Sequence, residues 1–193
     1  AQARRLDIDG ADHDHVYTLH ELQDSKAILE GVQEGDTAVI IGAGFIGLEA
    51  AASLREQGME VHVVAPEEVP LARIVGEEVG AVLQKVHEDN GVTFHLGRTP
   101  DSIGEESVTL DDGTELPAHL VIMGVGVIPR TEIAEAAGVE VEGGVVVDEF
   151  LRSSAQDVYA VGDLALYPDG RGGRVRIDHW AVAERQGHSV ATV

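Results

Sequence analysis

The stretch from Thr37 to Glu49, TAVIIGAGFIGLE, constrains this chain more than any other, because an apolar strand runs directly into Gly42-Ala43-Gly44-Phe45-Ile46-Gly47 and then into a helix of small residues. Three glycines at that spacing let the backbone turn tightly, approach a pyrophosphate closely and pack a helix on a strand. The helix start adds unpaired N–H groups and the positive end of the helix dipole. A bare GxGxxG occurs for steric reasons alone; the strand before it and the amphipathic helix over Leu48 to Gln57 after it supply the context of a dinucleotide fingerprint.

A second strand, Glu60 to Val64, follows at once, as a βαβ unit requires. About 20 residues past the first glycine such a unit carries an acid that accepts hydrogen bonds from the adenosine ribose and repels a 2′-phosphate. Here Ala65 and Pro66 close the strand, and Glu67 and Glu68 are the nearest carboxylates. No Arg or Lys lies between Val61 and Leu71, so NADH is favoured over NADPH by the absence of a phosphate clamp, with Glu67 as the substitute acid and Arg73 as the nearest cation.

A chain of 193 residues with 44% hydrophobic content has room for one large domain and part of another. It contains no apolar run of about 18 residues and no leading signal segment, so a soluble, cytoplasmic chain is expected. Cysteine is absent, which removes disulfides, thiolate metal sites and a Cys nucleophile from these residues. The net charge of −22, from 35 acidic against 13 basic residues, repels nucleic acid and anionic lipid; neither is expected as a partner. Spread along the sequence, it reads as a solvated acidic surface suited to high salt.

Before the first strand, Ala1 to Asp14 is polar and irregular. Asp12-His13-Asp14-His15 has metal-ligand residue types, but neighbours in a loop rarely converge on one ion, so no metal site is expected. The stretch from Thr18 to Val32 has helical apolar spacing, with Asp24 or Ser25 as its N-cap. Val75 to Asp89 predicts a helix stopping at Asn90-Gly91, followed by a strand at Val92 to Leu96. Ser107 to Leu110 and Glu115 to Leu116 flank Asp111-Asp112-Gly113-Thr114, a hairpin signal. His119 to Met123 reads as a buried strand. The order is that of an α/β Rossmann-like domain in three layers, a parallel sheet with an antiparallel meander, over residues 1–124. Residues 125–193 hold a short helix at Glu132 to Ala137, strands at Val145 to Val147 and Val158 to Val161, and a last helix from Trp180 to Val193. These are too few elements for an independent core, so the chain is expected to be a piece of a longer one.

Taken together, VIIGAGFIGLEAAASLREQGMEVHVVAPEEVPLARIVG, then GVGVIPRTEIAEAAGVEVEGGVVVDEFLRSSAQDVYAVGDLA, then RIDHWAVAERQG resemble the FAD-dependent pyridine nucleotide oxidoreductases of the ferredoxin-reductase and apoptosis-inducing-factor type. The resemblance covers nearly the whole chain. It implies an NADH-binding domain followed by the closing part of a second, FAD-binding Rossmann-like domain, with FAD and NADH as cofactors. In that family Gly42, Gly44, Phe45, Ile46 and Gly47 would meet the NADH pyrophosphate, and Glu49 would stand near the nicotinamide. Gly124, Val125 and Gly126 would line the same cleft. Gly162 and Asp163, in the second FAD motif, would meet the ribityl chain, and His179-Trp180 the pyrimidine edge of the flavin. Glu49 and Trp180 are the residues expected nearest the chemistry. Ala65 in place of the usual acid, Arg130 where many relatives have Asn, and Gln2 where many have Arg are departures.

On the residues alone, Glu49 also reads as a first-turn acid, Asp163 as a helix N-cap and Trp180 as a core residue. The resemblance implies an NADH-dependent flavoprotein reductase that passes electrons to a ferredoxin or Rieske-type iron–sulfur protein, with Arg171, Arg174 and Arg176 as the densest basic cluster for docking. Homodimerisation is left open. A disulfide reductase or NADH oxidase of the same superfamily, and a non-catalytic NADH-responsive binding protein, are the alternatives.

Overall fold

The computed structural model describes residues 1–192, so Val193, expected at the end of the last helix, lies outside the described residues. Residues 3–126 form one compact unit, and residues 1–2 with 127–193 form a second.

Strand β1 (Gln2–Ala3) leads into the larger unit, which runs β2 (Val16–Thr18), α1 (Leu22–Gly31), β3 (Thr37–Ile41), α2 (Phe45–Glu56) and β4 (Glu60–Ala65). It continues through α3 (Ala72–Val75), α4 (Glu77–Asp89), β5 (Val92–Leu96), β6 (Pro100–Ile103), β7 (Ser107–Leu110), β8 (Glu115–Pro117) and β9 (Leu120–Met123). Five strands form a parallel sheet in the order β2-β9-β3-β4-β5. Alternate residues of its central strands enter two separate cores. Ala38, Ile40, Val61, Val63, Leu120 and Ile122 pack with Ile28, Ala50, Ala51 and Leu54 of the helices. Val39, Ile41, Val64, Val121 and Met123 pack with Val108, Leu110 and Leu116 of the antiparallel β6-β7-β8 meander. Burial on both faces is why these strands read as unbroken apolar runs rather than as alternations. Helices, parallel sheet and meander are the three expected layers.

Local chemistry sets the boundaries. The N-cap of α1 is Glu21, three residues before the expected Asp24, because the Asp24 carboxylate accepts the backbone N–H groups of His20 and Glu21 at 2.8 and 2.9 Å as the third helical residue of a capping box. The helix expected over Val75 to Asp89 is divided: Gly76, at φ 84°, ends α3 and starts α4. Asn90 caps α4, and Gly91 follows at φ 86°. Strands β2 and β6 fall outside the sequence reading. Each is short: β2 owes its place to β9, distant in sequence, and β6 pairs with the neighbouring β7 while bridging Asp9 far upstream.

The smaller unit contains β10 (Val127–Ile128), α5 (Glu132–Ala136), β11 (Val145–Val146), a 3-10 turn at Gly162–Leu164, β12 (Ala165–Pro168), β13 (Arg174–Val175) and α6 (Trp180–Ala191). Strand β12 pairs in parallel with β11 and antiparallel with β13. Val139, Val145, Val147, Leu151, Ala160 and Ala165 make its core, far smaller than the cores of the larger unit. The strand expected at Val158 to Val161 does not form among the described residues. Only the isolated Arg152–Tyr159 bridge pairs there, since the Ala160 N–H reaches the Leu151 carbonyl but no ladder continues.

Candidate functional site

In the larger unit the chain leaves β3, β4 and β9 around a cleft of about 620 Å³, at the carboxyl ends of parallel strands where open α/β sheets bind ligands. Gly42, Gly44, Glu67, Gly124, Val125 and Gly126 all line it. The three fingerprint glycines do different work. A Cβ on Gly42, whose φ is 109°, would stand 2.5 Å from the Gly124 carbonyl oxygen, so this turn and the β9 exit close on each other. A Cβ on Gly47 would meet the Gly42 oxygen at 2.1 Å, which is the cost of seating α2 so near the strand. A Cβ on Gly44 would meet nothing within 4 Å; the space before the helix is open. Gly44 caps α2 without a side-chain hydrogen bond, and no acid occupies the first turn, so this end of the helix dipole is unanswered by the protein. An anion fits that cradle.

Phe45 and Ile46 are exposed at the head of α2, by 46% and 38%. Glu49 lies beyond the first turn, so it is not a dipole-compensating acid; it lines a separate pocket between α1 and α2 with Ser25, Ile28 and Ser53. Ala65 is fully buried in the sheet and presents nothing to a ribose. Glu67 takes the cleft wall one turn on, with Arg73 of α3 on the same cleft.

Sequence reasoning missed Arg4, Leu6 and Ile8, which complete the cleft. The Arg4 N–H donates to the Gly126 carbonyl at 2.9 Å, a contact across more than a hundred residues that no local pattern announces.

The smaller unit has its own recess, about 490 Å³, lined by Gly162, Asp163, Asp178, His179, Trp180 and others. Gly162 has φ 68°, and a Cβ there would stand 3.1 Å from Ala183, so the turn packs directly on α6. Its N–H donates to Gln186 Oε1 at 2.7 Å, tying turn to helix; Gln186 is a second residue the sequence reading missed. Val161, not Asp163, is the residue before the 3-10 turn, so Asp163 is not its N-cap. Trp180 is 75% exposed and no part of the core. His179 caps α6: its Nδ1 accepts the Ala181 N–H at 3.1 Å, and its ring stacks on Trp180 with centroids 5.8 Å apart. A carboxylate, a close-packed glycine and an exposed pair of stacked rings suit the polar chain and flat ring of a flavin. Burial raises the Asp178 carboxyl above the usual range, against the pull of Arg176, which is hydrogen-bonded to it.

Of the three basic residues expected to dock a partner, two are engaged within the unit. Arg174 pairs with Glu142 at 3.3 Å; Arg176 pairs with Asp178 and donates to the Asp163 carbonyl. Among the described residues no group of three or more His, Asp or Glu side chains is arranged to hold a metal ion, and no helix is long and apolar enough to cross a membrane.

Residues 1–187 match the pyridine nucleotide-disulphide oxidoreductase family, and the chain belongs to it. It is 34% identical over 184 residues to rhodocoxin reductase of Rhodococcus erythropolis, covering 92% of this chain and 43% of that protein. It is 35% identical to the ferredoxin–NAD(+) reductase component of the anthranilate 1,2-dioxygenase system of Burkholderia cepacia, over 89% of this chain and 43% of the relative. The crystal structure of the ferredoxin reductase for the CYP199A2 system of Rhodopseudomonas palustris superimposes with a TM-score of 0.94 at 36% identity, covering 99% of this chain and 49% of that one. The chain thus spans about half the length of the relatives it matches. The fold is that of the FAD- and NAD-binding Rossmann-like reductases, and proteins of this family use FAD and NAD(P)H.

Proposed function

We propose that this chain carries the NADH-binding domain and the closing part of the FAD-binding domain of a flavoprotein reductase that delivers electrons to a ferredoxin. The observation that supports this most is the unanswered amino end of α2 at Gly44, open to a cleft over three strand ends. There Gly42, Gly44 and the N–H groups of Phe45 and Ile46 hold a pyrophosphate, Gly124 to Gly126 line the floor, and Glu67 receives the adenosine ribose. Glu49, on the separate pocket between α1 and α2, is assigned to the nicotinamide end by the family resemblance alone. In the smaller unit Gly162 and Asp163 meet the ribityl chain, while His179 and Trp180 offer the ring edge.

When bound, the nicotinamide and flavin would supply hydride transfer, two electrons with one proton passing from the first to the second. The residues supply placement: a helix dipole for the diphosphate, a carboxylate for the ribityl hydroxyls and a fixed imidazole tautomer beside the indole. The iron–sulfur partner is proposed from the relatives' names, which include a ferredoxin–NAD(+) reductase.

Titration with NADH by calorimetry, followed by FAD titration read through quenching of Trp180, the only tryptophan, tests both sites. Saturable binding of NADH at micromolar to millimolar concentration is expected. No binding of either dinucleotide at several millimolar would overturn the reading.

A further inference from the structure

The adenosine end of the cleft has an arrangement that neither its GxGxxG turn nor its family explains. The strand-end residue that should carry the ribose-binding acid is Ala65, buried and inert. The cleft wall beside it instead carries Glu67 and Arg73, a carboxylate and a guanidinium on one cleft with no ion pair between them. Arg73 shares with Arg171 and several other basic residues the lack of an ion pair among the described residues, and what sets it apart is its place on the cleft wall with Glu67. Arg73 is exposed on the four-residue helix α3, which stands between Leu71, at φ 57°, and Gly76, at φ 84°. Glu67 is partly buried, and its carbonyl accepts the Gly97 N–H at 3.2 Å, so its backbone is fixed to the exit of β5.

We propose that Glu67 and Arg73 together decide which nicotinamide dinucleotide the chain accepts: Glu67 takes over the role of the missing strand-end acid and excludes the 2′-phosphate, while Arg73 is a cation able to hold that phosphate once the Glu67 charge is gone. The proposal rests on the dinucleotide reading of the cleft. The opposed charges give a chain with an uncharged residue at the usual discriminating position a means of discriminating. A 2′-phosphate brought to this wall gains an attraction to Arg73 and pays a repulsion from Glu67. The ribose of NADH keeps its hydrogen bonds to the carboxylate and meets no repulsion. A partly buried charge weighs more in that balance than one in open solvent, since its field is less screened.

The test is calorimetric titration of the 193-residue chain and its Glu67→Gln, Arg73→Ala and Glu67→Gln/Arg73→Ala variants with NADH and with NADPH. The wild type is expected to favour NADH. Glu67→Gln keeps a hydrogen-bonding amide and should shift the affinity ratio toward NADPH by about tenfold, the scale of one charge interaction near a protein surface. Arg73→Ala added to it should remove most of the gain in NADPH binding while changing NADH binding little. A ratio unchanged within twofold in Glu67→Gln, with NADH still bound, overturns the proposal and leaves the dinucleotide reading standing. So does a double variant that binds NADPH as well as Glu67→Gln alone. A wild type that binds neither dinucleotide, while its melting transition shows a folded chain, overturns both.

Discussion

The carbonyl oxygen of Gly42 lies where a Cβ on Gly47 would be, 2.1 Å from its ideal position, so the helix that offers its amino end to the cleft can sit there only because residue 47 has no side chain. Gly47→Ala must push α2 off β3, through the packing that seats Leu48, Ala50 and Ala51. The expected loss is roughly 1–3 kcal/mol of stability, the usual cost of overpacking, read from urea denaturation. Gly44→Ala differs, because open space surrounds that position and its φ of −82° suits any residue. Its stability should stay within about 0.5 kcal/mol of wild type while NADH affinity falls, since the methyl occupies the anion's approach. A Gly44→Ala variant that unfolds as readily as Gly47→Ala would refute this division of roles.

Acid should weaken the larger unit through a histidine pair. His62 Nδ1 and His95 Nε2 are 3.0 Å apart, joining β4 to the edge strand β5, and one imidazole must accept while the other donates. Burial, then the neighbouring His62, lowers the His95 pKa from its ordinary 6.5, and burial with His13 lowers that of His15. The unfolded chain therefore takes up these protons first. The stability they contribute is fully present above the unfolded-state value and is lost as pH falls through the lowered folded-state values. Melting temperatures between pH 8 and pH 5 should fall on the acid side, and His95→Gln should flatten that slope. An unchanged slope in His95→Gln would remove the pair as the cause.

The βαβ start was legible because its signals are local: an apolar run buried on both faces, a glycine turn with one steric meaning, and Asn90-Gly91 as a stop. The same holds for the Asp111 to Thr114 hairpin, whose turn residues lie between the strands they join. What escaped was decided by partners far away. Strand β2 exists because Val16 to Thr18 lie beside β9, and Arg4 reaches the cleft through Gly126. The reverse error, a strand at Val158 to Val161, came from composition without a ladder partner among the described residues. Glu49 shows the limit at a single side chain: its place after the third glycine was legible, but only the packing of α1 on α2 shows which pocket it lines.

Glu49 can be tested against the adenosine half of the ligand. It lies outside the cleft lining, so Glu49→Gln should leave the affinity for AMP unchanged within about twofold, the size expected of a distant surface change. If it acts on the nicotinamide, NADH affinity alone should move. Equal shifts for AMP and NADH would mean that Glu49 acts by supporting α2 rather than by meeting the ligand.

Trp180 separates stability from flavin contact. Exposed over three-quarters of its surface and, among the described residues, stacked only on His179, it contributes little to the core, so Trp180→Phe and Trp180→Ala should melt within a few degrees of wild type. FAD added to the wild type should quench its fluorescence. With about half of the family's length present, the flavin should be held weakly and lost on gel filtration, because few contacts offset the cost of immobilising so large a ligand. Stoichiometric flavin surviving purification would contradict that expectation, and unquenched Trp180 at saturating FAD would place the flavin elsewhere.

The basic cluster should act through Arg171 more than through its neighbours. Arg174 already faces Glu142, and Arg176 is held by Asp178 and by the Asp163 carbonyl, whereas Arg171 has no ion pair among the described residues. An acidic ferredoxin approaching a chain of net charge −22 is attracted only by charge that is locally uncompensated. Arg171→Glu should therefore slow association with such a ferredoxin and flatten its dependence on salt, and Arg174→Glu should do so less. Arg176→Glu should act differently, leaving Asp178 beside a new carboxylate at the recess of the smaller unit and lowering stability, and FAD affinity with it if the flavin binds there. Stopped-flow association at several ionic strengths distinguishes these cases. Equal effects of Arg171→Glu and Arg174→Glu on the association rate would mean that the pairing with Glu142 does not screen Arg174, and the single-residue docking argument would fail.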